Sequence, residues 1–279
     1  MAKWAKFLKV SRSGYYAWLS RKEENTAKDK TYKEKIKNIF RDSGDTYGPD
    51  RICGVLRKEG ERASYRKVSR LMTELDLSSI HNRQRSRSLT DSRKARDDSY
   101  KNLIYGNSYD SPYQAVCSDI SYLKTGEGFL YLCVVKDIVT GEILGHATST
   151  NMKKVLVIKA FLSAQARHPL GHDTIFHSDR GSQYTSKEFM AIIDGYGIKQ
   201  SFSRVGIPGD NTWAESFFAT FKKERVYFNH FNTRDEAVFA AFAWIEGFYN
   251  NKRVQKRLGY VSPSVYRKNL LLNKLKSVA

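Results

Sequence analysis

The stretch His177-Ser178-Asp179-Arg180-Gly181-Ser182-Gln183-Tyr184-Thr185-Ser186 decides how this chain is read. It follows an apolar run, Thr174-Ile175-Phe176, of the length expected for a short buried strand. Gly181 and the polar residues after it end that strand. Thr185 with Glu188 three positions on then predicts a capping box that opens a helix. Asp179 therefore stands where a strand ends and the chain turns toward a helix, and in open α/β sheets that rim is where ligands collect. An Asp-x-Gly turn alone would explain a solitary aspartate. The weight given to Asp179 depends on what else reaches the same rim.

Working outward, residues 120–123, 129–135 and 143–150 read as three consecutive strands joined by short turns, an antiparallel meander. Residues 155–166 read as a helix, 186–194 as another, and 198–202 as a short strand between that helix and a glycine- and proline-bearing loop. A meander followed by alternating α and β is the element order of an RNase H-like fold. Asp119 belongs to the first strand, where a half-buried carboxylate is costly unless it is paired or bound to a cation. Asp137 is a weaker candidate, because a turn beside Gly141 accounts for it. A further helix opens near Asn211 or Thr212 with an apolar stripe of Trp213, Phe217 and Phe221. Glu215 lies just beyond that stripe, and Lys222, seven residues on, projects in nearly the same direction about 10 Å further along the axis. Thr212-x-x-Glu215 is itself a capping-box pattern, so the sequence leaves two roles open for that glutamate.

The functional reading takes Asp119, Asp179 and Glu215 together. Asp119 and Asp179 fall on strands expected to be neighbours near the sheet centre, and Glu215 opens a helix over the same edge. Three converging carboxylates repel unless divalent cations sit between them, and oxygen-only ligands suit Mg²⁺ or Mn²⁺. Two such ions roughly 3.5–4 Å apart activate a water or 3′-hydroxyl and stabilise the leaving oxygen of a phosphodiester displacement.

The charge of the chain agrees with a polyanionic partner. The 279 residues carry a net charge of +19, with Lys and Arg exceeding Asp and Glu by 11 over residues 1–100 and by 8 over the rest. Nucleic acid is the first partner such a balance suggests, and an anionic membrane surface the second. No apolar run reaches transmembrane length and no signal peptide is evident, so a cytoplasmic protein with no membrane partner is expected. Cys53, Cys117 and Cys133 are scattered and odd in number, which argues against a disulfide framework and against a zinc site.

The N-terminal third reads as helical. Trp4, Phe7, Leu8, Tyr15, Tyr16 and Trp18 suggest two helices around a turn at Ser11-Arg12-Ser13-Gly14, with residues 21–31 a charged linker or helix start. Residues 31–77 read as a helix-turn-helix-like DNA-binding domain. Its last helix buries Val68, Leu71 and Met72 and offers Arg66, Lys67 and Arg70 to phosphates. Residues 78–110, with Arg83, Arg85, Arg87, Arg93, Lys94 and Arg96, read as a basic linker. Residues 111–272 form the catalytic core, closed by a buried helix over 233–250 and a last helix begun by Val261-Ser262-Pro263.

These stretches resemble a known family. Ser118-Asp119-Ile120-Ser121-Tyr122, residues His177 to Ser186, Ala214-Glu215-Ser216-Phe217-Phe218-Ala219-Thr220-Phe221-Lys222, Phe248-Tyr249-Asn250 and Leu258-Gly259-Tyr260-Val261-Ser262-Pro263 follow one another as in OrfB, the catalytic subunit of bacterial insertion-sequence transposases with a retroviral-integrase-type DDE core. The resemblance spans nearly the whole chain. It implies that Asp119, Asp179 and Glu215 bind two Mg²⁺ ions (Mn²⁺ substituting) and catalyse DNA cleavage and strand transfer. It also implies that Lys222 contacts element-end DNA. Val116 stands where the family usually has tryptophan, and Gln255 where it often has histidine. The partners implied are terminal inverted repeats and target DNA, further copies of the chain on that DNA, and an upstream OrfA protein supplying the main helix-turn-helix and zipper. A non-catalytic DNA-binding relative would be expected to have lost one of the acids. An RNase H-like nuclease of hybrids or junctions is disfavoured by the N-terminal basic helices and the 35 residues between Asp179 and Glu215.

Overall fold

The computed structural model describes residues 11–82, 100–168, 170–204 and 208–278. The chain forms two compact units, divided between Arg83 and Gln84.

The first unit is helical. Its longest element, α1 (Arg12–Asp42), is continuous for 31 residues. Ser11 is its N-cap, the hydroxyl oxygen accepting from the Gly14 N–H at 2.9 Å. The expected turn at residues 11–14 is therefore a helix start, and the expected linker at 21–31 is helix. That stretch consists mostly of strong helix formers, and Glu24 pairs with Lys28 one turn on at 2.5 Å. A domain boundary at residue 30 would cut this helix. Ile36 and Phe40 bury its C-terminal part against α2 (Pro49–Lys58) and α3 (Tyr65–Glu74). Proline opens α2, where a missing N–H costs nothing. Ser64 caps α3 by accepting from the Lys67 N–H at 3.2 Å. Ile52 and Leu56 of α2 and Val68, Leu71 and Met72 of α3 are buried, giving the helix-turn-helix arrangement expected.

Both ends of the stretch read as a linker, residues 78–110, hold side chains that are packed. Ile80 is buried in the first unit. Residues 100–110 belong to the second: Tyr100 lies 4.5 Å from Phe202, centroid to centroid, and Ile104 is buried. The basic positions Arg83 to Arg96 lie outside the described residues.

The second unit is a five-stranded sheet of order β3-β2-β1-β4-β5. The strands are β1 (Ala115–Thr125), β2 (Gly128–Asp137), β3 (Ile143–Ser149), β4 (Ile175–Ser178) and β5 (Lys199–Phe202). The first three form the antiparallel meander, and β4 and β5 add parallel to β1. Strand alternation sorts the side chains. Val116, Cys133, Val135 and Leu144 face α4 (Lys154–Arg167) and α5 (Lys187–Gly195). The backbone of α4 reaches β3 at Gly145, where a Cβ would lie 2.2 Å from the Ala164 nitrogen. Leu123, Leu132 and Val134 face the other layer, made by α6 (Thr212–Phe221) and α7 (Arg234–Phe242). The last helix, α8, spans Pro263–Val278.

Several details differ from expectation. Ser186, not Thr185, caps α5, because the Thr185 hydroxyl donates to the Gly181 carbonyl instead. Thr233 caps α7 by accepting from the Glu236 N–H at 3.2 Å, and Glu236 accepts from the Asn232 N–H, one residue before the cap, at 2.7 Å. The helix predicted over 233–250 is α7 continued by a π-helical stretch, Ala243–Tyr249. It is not buried all round, since Phe239 and Phe242 are exposed.

Candidate active site

β1 and β4 bring the first two acids together. Cys117 pairs with His177, so the same register carried two residues on sets Asp179 beside Asp119, on the α6 side of the sheet. Asp119 accepts from the Ile120 N–H at 2.8 Å, and Asp179 from the Gly181 N–H at 3.0 Å. A Cβ at position 181 would stand 3.0 Å from an Asp179 carboxylate oxygen and 2.8 Å from Gln183 Oε1, so any larger residue there would displace the ends of those side chains. Glu215 is exposed on the first turn of α6, whose buried side (Ala214, Phe217, Phe218, Phe221) packs on β1 and β2. The capping-box alternative fails for Glu215: the N-cap is Asn211, which makes no side-chain cap hydrogen bond.

The electrostatics follow from that crowding. Burial, then the charge of Asp179, push the Asp119 carboxyl up to about 7, with a smaller push from Glu215. Burial also raises Asp179 above its ordinary value, and the partial cover on one side of the otherwise exposed Glu215 raises that carboxyl too. Asp179 is open to solvent on one side yet crowded on the others, and the crowded side sets the direction. None of the three acids is in a salt bridge among the described residues. No three acidic, histidine or cysteine side chains among those residues stand close enough to grip one ion together. The arrangement is thus two neighbouring aspartates with Glu215 within electrostatic reach. A set of oxygen donors with no salt-bridge partner among the described residues suits a hard divalent cation.

Lys222 closes this edge. Its ammonium lies 5.3 Å from the Tyr122 ring centroid, and burial lowers its pKa while Asp119 opposes the shift. Asp137 is buried in a turn, accepting from the Tyr113 N–H and from the Thr140 N–H and hydroxyl, as its weaker standing implied. His177 is neutral, held down to about 4 by burial, with ring nitrogens at 2.9 and 3.2 Å from the Ser201 and Ser203 hydroxyls. Val116 is a core residue and Gln255 bridges to Val261; neither is among the partners of the acids.

Sequence reasoning missed a clasp at the base of the segment leading to Glu215. Arg204 donates through Nε and Nη2 to the two Asp210 oxygens at 3.0 and 2.9 Å, and Asn102 donates to Asp210 at 2.8 Å. Arg204 also stacks over Tyr105 at 3.8 Å. These bonds, Arg204 foremost, hold the Asp210 carboxyl down to about 2. A depressed carboxylate stabilises the fold above its unfolded pKa of about 3.9, and the contribution disappears as pH falls through about 2. Arg204 is well exposed, so the discounted contribution is about 1 kcal/mol. Asp210→Asn is expected to lower stability by that amount at pH 7 and to match wild type at pH 2, read by urea unfolding at both values. An equal loss at both would remove the ion pair as its cause.

The DNA-facing candidates of the first unit are separated by their partners. Lys67 and Arg70 both pair with Asp29 of α1, at 3.0 and 2.7 Å, and Arg70 also pairs with Glu74. Arg66 is exposed.

Comparison with known proteins places the whole. The Integrase core domain family matches residues 110–208 and, through a second family of the same description, residues 215–271; an HTH-like domain matches residues 27–85. An insertion element IS600 31 kDa protein of Shigella sonnei is 36% identical over 92% of this chain and 95% of its own length. The transposase for insertion sequence element IS904 of Lactococcus lactis is 36% identical over 84% and 92%. The chain belongs to the insertion-sequence transposases. Transposase InsF of IS3 in Escherichia coli is a further relative, 31% identical over 94% of this chain and 92% of that one. Among solved structures, the catalytic core domain of BIV integrase aligns with 60% of the transposase and 99% of its own chain at 15% identity and TM-score 0.43. The transposase thus joins an HTH-like domain to an integrase core, a polynucleotidyl transferase. No helix among its described residues is long and apolar enough to cross a membrane.

Proposed function

We propose that this transposase cuts and joins DNA at the ends of its insertion sequence, with Asp119, Asp179 and Glu215 holding two Mg²⁺ ions for which Mn²⁺ can substitute. The observation that carries the reading is the meeting of two aspartates at one sheet edge, with Glu215 in electrostatic reach and no salt bridge to any of the three among the described residues. When bound, such ions polarise the scissile phosphate and lower the pKa of the attacking oxygen. In the first step a water oxygen forms a bond to phosphorus as the bond to the 3′-oxygen breaks, leaving a 3′-hydroxyl. In the second that hydroxyl forms the new phosphodiester as a target 3′-oxygen departs. Asp119 sheds the proton that its crowding favours when it takes up its ligand role, and Lys222 holds a non-reacting phosphate beside it.

In the first unit Arg66 reaches phosphate directly, while Lys67 and Arg70 exchange Asp29 for the backbone of the duplex. Recognition of the terminal repeats involves further copies of the chain and an upstream OrfA-type protein. The test is joining of a duplex copied from the DNA flanking the gene. Products are expected with Mg²⁺ and none with chelator, and joining in chelator would overturn the metal role. Lys222→Ala is expected to weaken binding of that duplex roughly tenfold and to reduce the salt dependence by about one phosphate contact. Mn²⁺ affinity should change less. Unchanged duplex affinity would remove Lys222 from the interface.

A further inference from the structure

We propose that Lys136 is a positioning residue for Glu215, an inference that rests on Glu215 being a metal-holding residue. Lys136 lies on β2 and is only 4% exposed. Strand alternation places it on the face of Leu132 and Val134, beneath α6. Its ammonium donates at 2.6 Å to the carbonyl of Trp213, two residues before Glu215 in the first turn of that helix. Among the described residues no carboxylate forms a salt bridge with it.

A buried ammonium held by one carbonyl is expensive. Near the amino end of a helix the backbone dipole adds to the cost. Methionine would fill the same space in this apolar strand without either penalty. What the charge does supply is a link. Cys117 pairs with Lys136 and Asp119 with Val134, so Lys136 stands diagonal to Asp119 across the β1–β2 ladder. It therefore ties the strand pair that carries one acid to the helical turn that carries another. The helix needs such a tie, because Asn211 at its N-cap makes no side-chain cap bond. Asn211 instead reaches the sheet, its Nδ2 donating to the carbonyl of Ser118 at 3.1 Å. Long-range bonds to β1 and β2, rather than a local cap, set where Glu215 begins.

The test uses the full chain carrying Lys136→Met, Lys136→Arg or Glu215→Gln. Mn²⁺ binding is followed by calorimetry, and joining of the flanking-sequence duplex is followed across Mg²⁺ concentrations. Lys136→Met is expected to unfold at or above the wild-type temperature and to bind duplex normally. Its Mg²⁺ requirement for half-maximal joining should rise about tenfold, its Mn²⁺ affinity should fall by a similar factor, and its maximal rate should drop. Lys136→Arg, still able to donate to the carbonyl, should recover most of both. A wild-type metal requirement in Lys136→Met, a loss of its fold, or no recovery in Lys136→Arg would each overturn the proposal. If Glu215→Gln joins DNA normally, the reading beneath it fails. If Glu215→Gln is inactive while Lys136→Met is wild type, only this inference fails.

Discussion

Asp119→Asn, Asp179→Asn and Glu215→Gln are each expected to lower DNA joining by about a thousandfold or more while leaving duplex binding within a few fold of wild type. A loss of that size corresponds to about 4 kcal/mol of transition-state stabilisation, the scale expected when one ligand of a catalytic ion pair is neutralised. The same substitutions should not weaken the fold. The Asp119 carboxyl is pushed up to about 7 by burial and then by Asp179. Its folded pKa exceeds the unfolded value of about 3.9, so the folded state holds the extra proton between those limits. Stability is consequently lost as pH rises through that window, and the full cost applies above it. Asp119→Asn removes the cost. The variant should gain about 2 kcal/mol at pH 8, a figure already reduced for the solvent access this residue keeps, and should match wild type near pH 4. Urea unfolding at the two pH values, set beside the joining assay, measures both halves. A variant that joins DNA at the wild-type rate with Mg²⁺ would remove that residue from the centre.

Arg253→Met should cost about 3–5 kcal/mol, the largest loss of stability expected from a single change in the catalytic unit. Arg253 donates through Nε and Nη2 to both oxygens of Glu224, at 2.6 to 3.1 Å, and the two side chains are 5% and 0% exposed. Removing the arginine takes these hydrogen bonds away from a buried carboxylate, whereas replacing both partners with apolar groups spares that penalty. The double substitution Glu224→Leu with Arg253→Met should therefore recover most of the loss. Unfolding midpoints of the single and double variants decide the matter, and a single-variant loss under about 1 kcal/mol would show the pair to be dispensable. Glu224 lies in the π-helical turn Lys222–Val226, so the same pair sets the direction in which Lys222 leaves α6.

The sheet was legible in the sequence because each strand is an apolar run bounded by turn residues, and α2 and α3 because their stripes repeat at helical spacing. The meeting of Asp119 and Asp179 was legible once their strands were taken as neighbours. What escaped was whatever depends on partners distant in sequence. Arg204 and Asp210 flank a loop that reads only as glycine- and proline-bearing, and their clasp includes Asn102 from another part of the chain. Lys136 falls between the apolar strand read over 129–135 and the turn that follows, and only the fold puts it beneath Trp213. The continuity of α1 was hidden because Ser-x-Ser-Gly resembles a turn until Ser11 is seen to cap the helix that follows. At Glu215 local pattern pointed two ways, and the absence of a side-chain cap at Asn211 leaves its carboxylate free of that duty.

The parallel pairing of β1 with β4 has a consequence for timing. The meander can zip up between neighbours soon after it is synthesised, but Cys117 meets His177 only when a loop of some sixty residues closes, which is a slow entropic event. During synthesis the β2–β3 hairpin can thus pair before β4 has been made, and so before any pair of acids exists. Hydrogen exchange pulsed during refolding should protect β2 and β3 well ahead of β4. The two acids are thus brought together by the pairing of greatest sequence separation in the sheet, after the meander that carries the first of them.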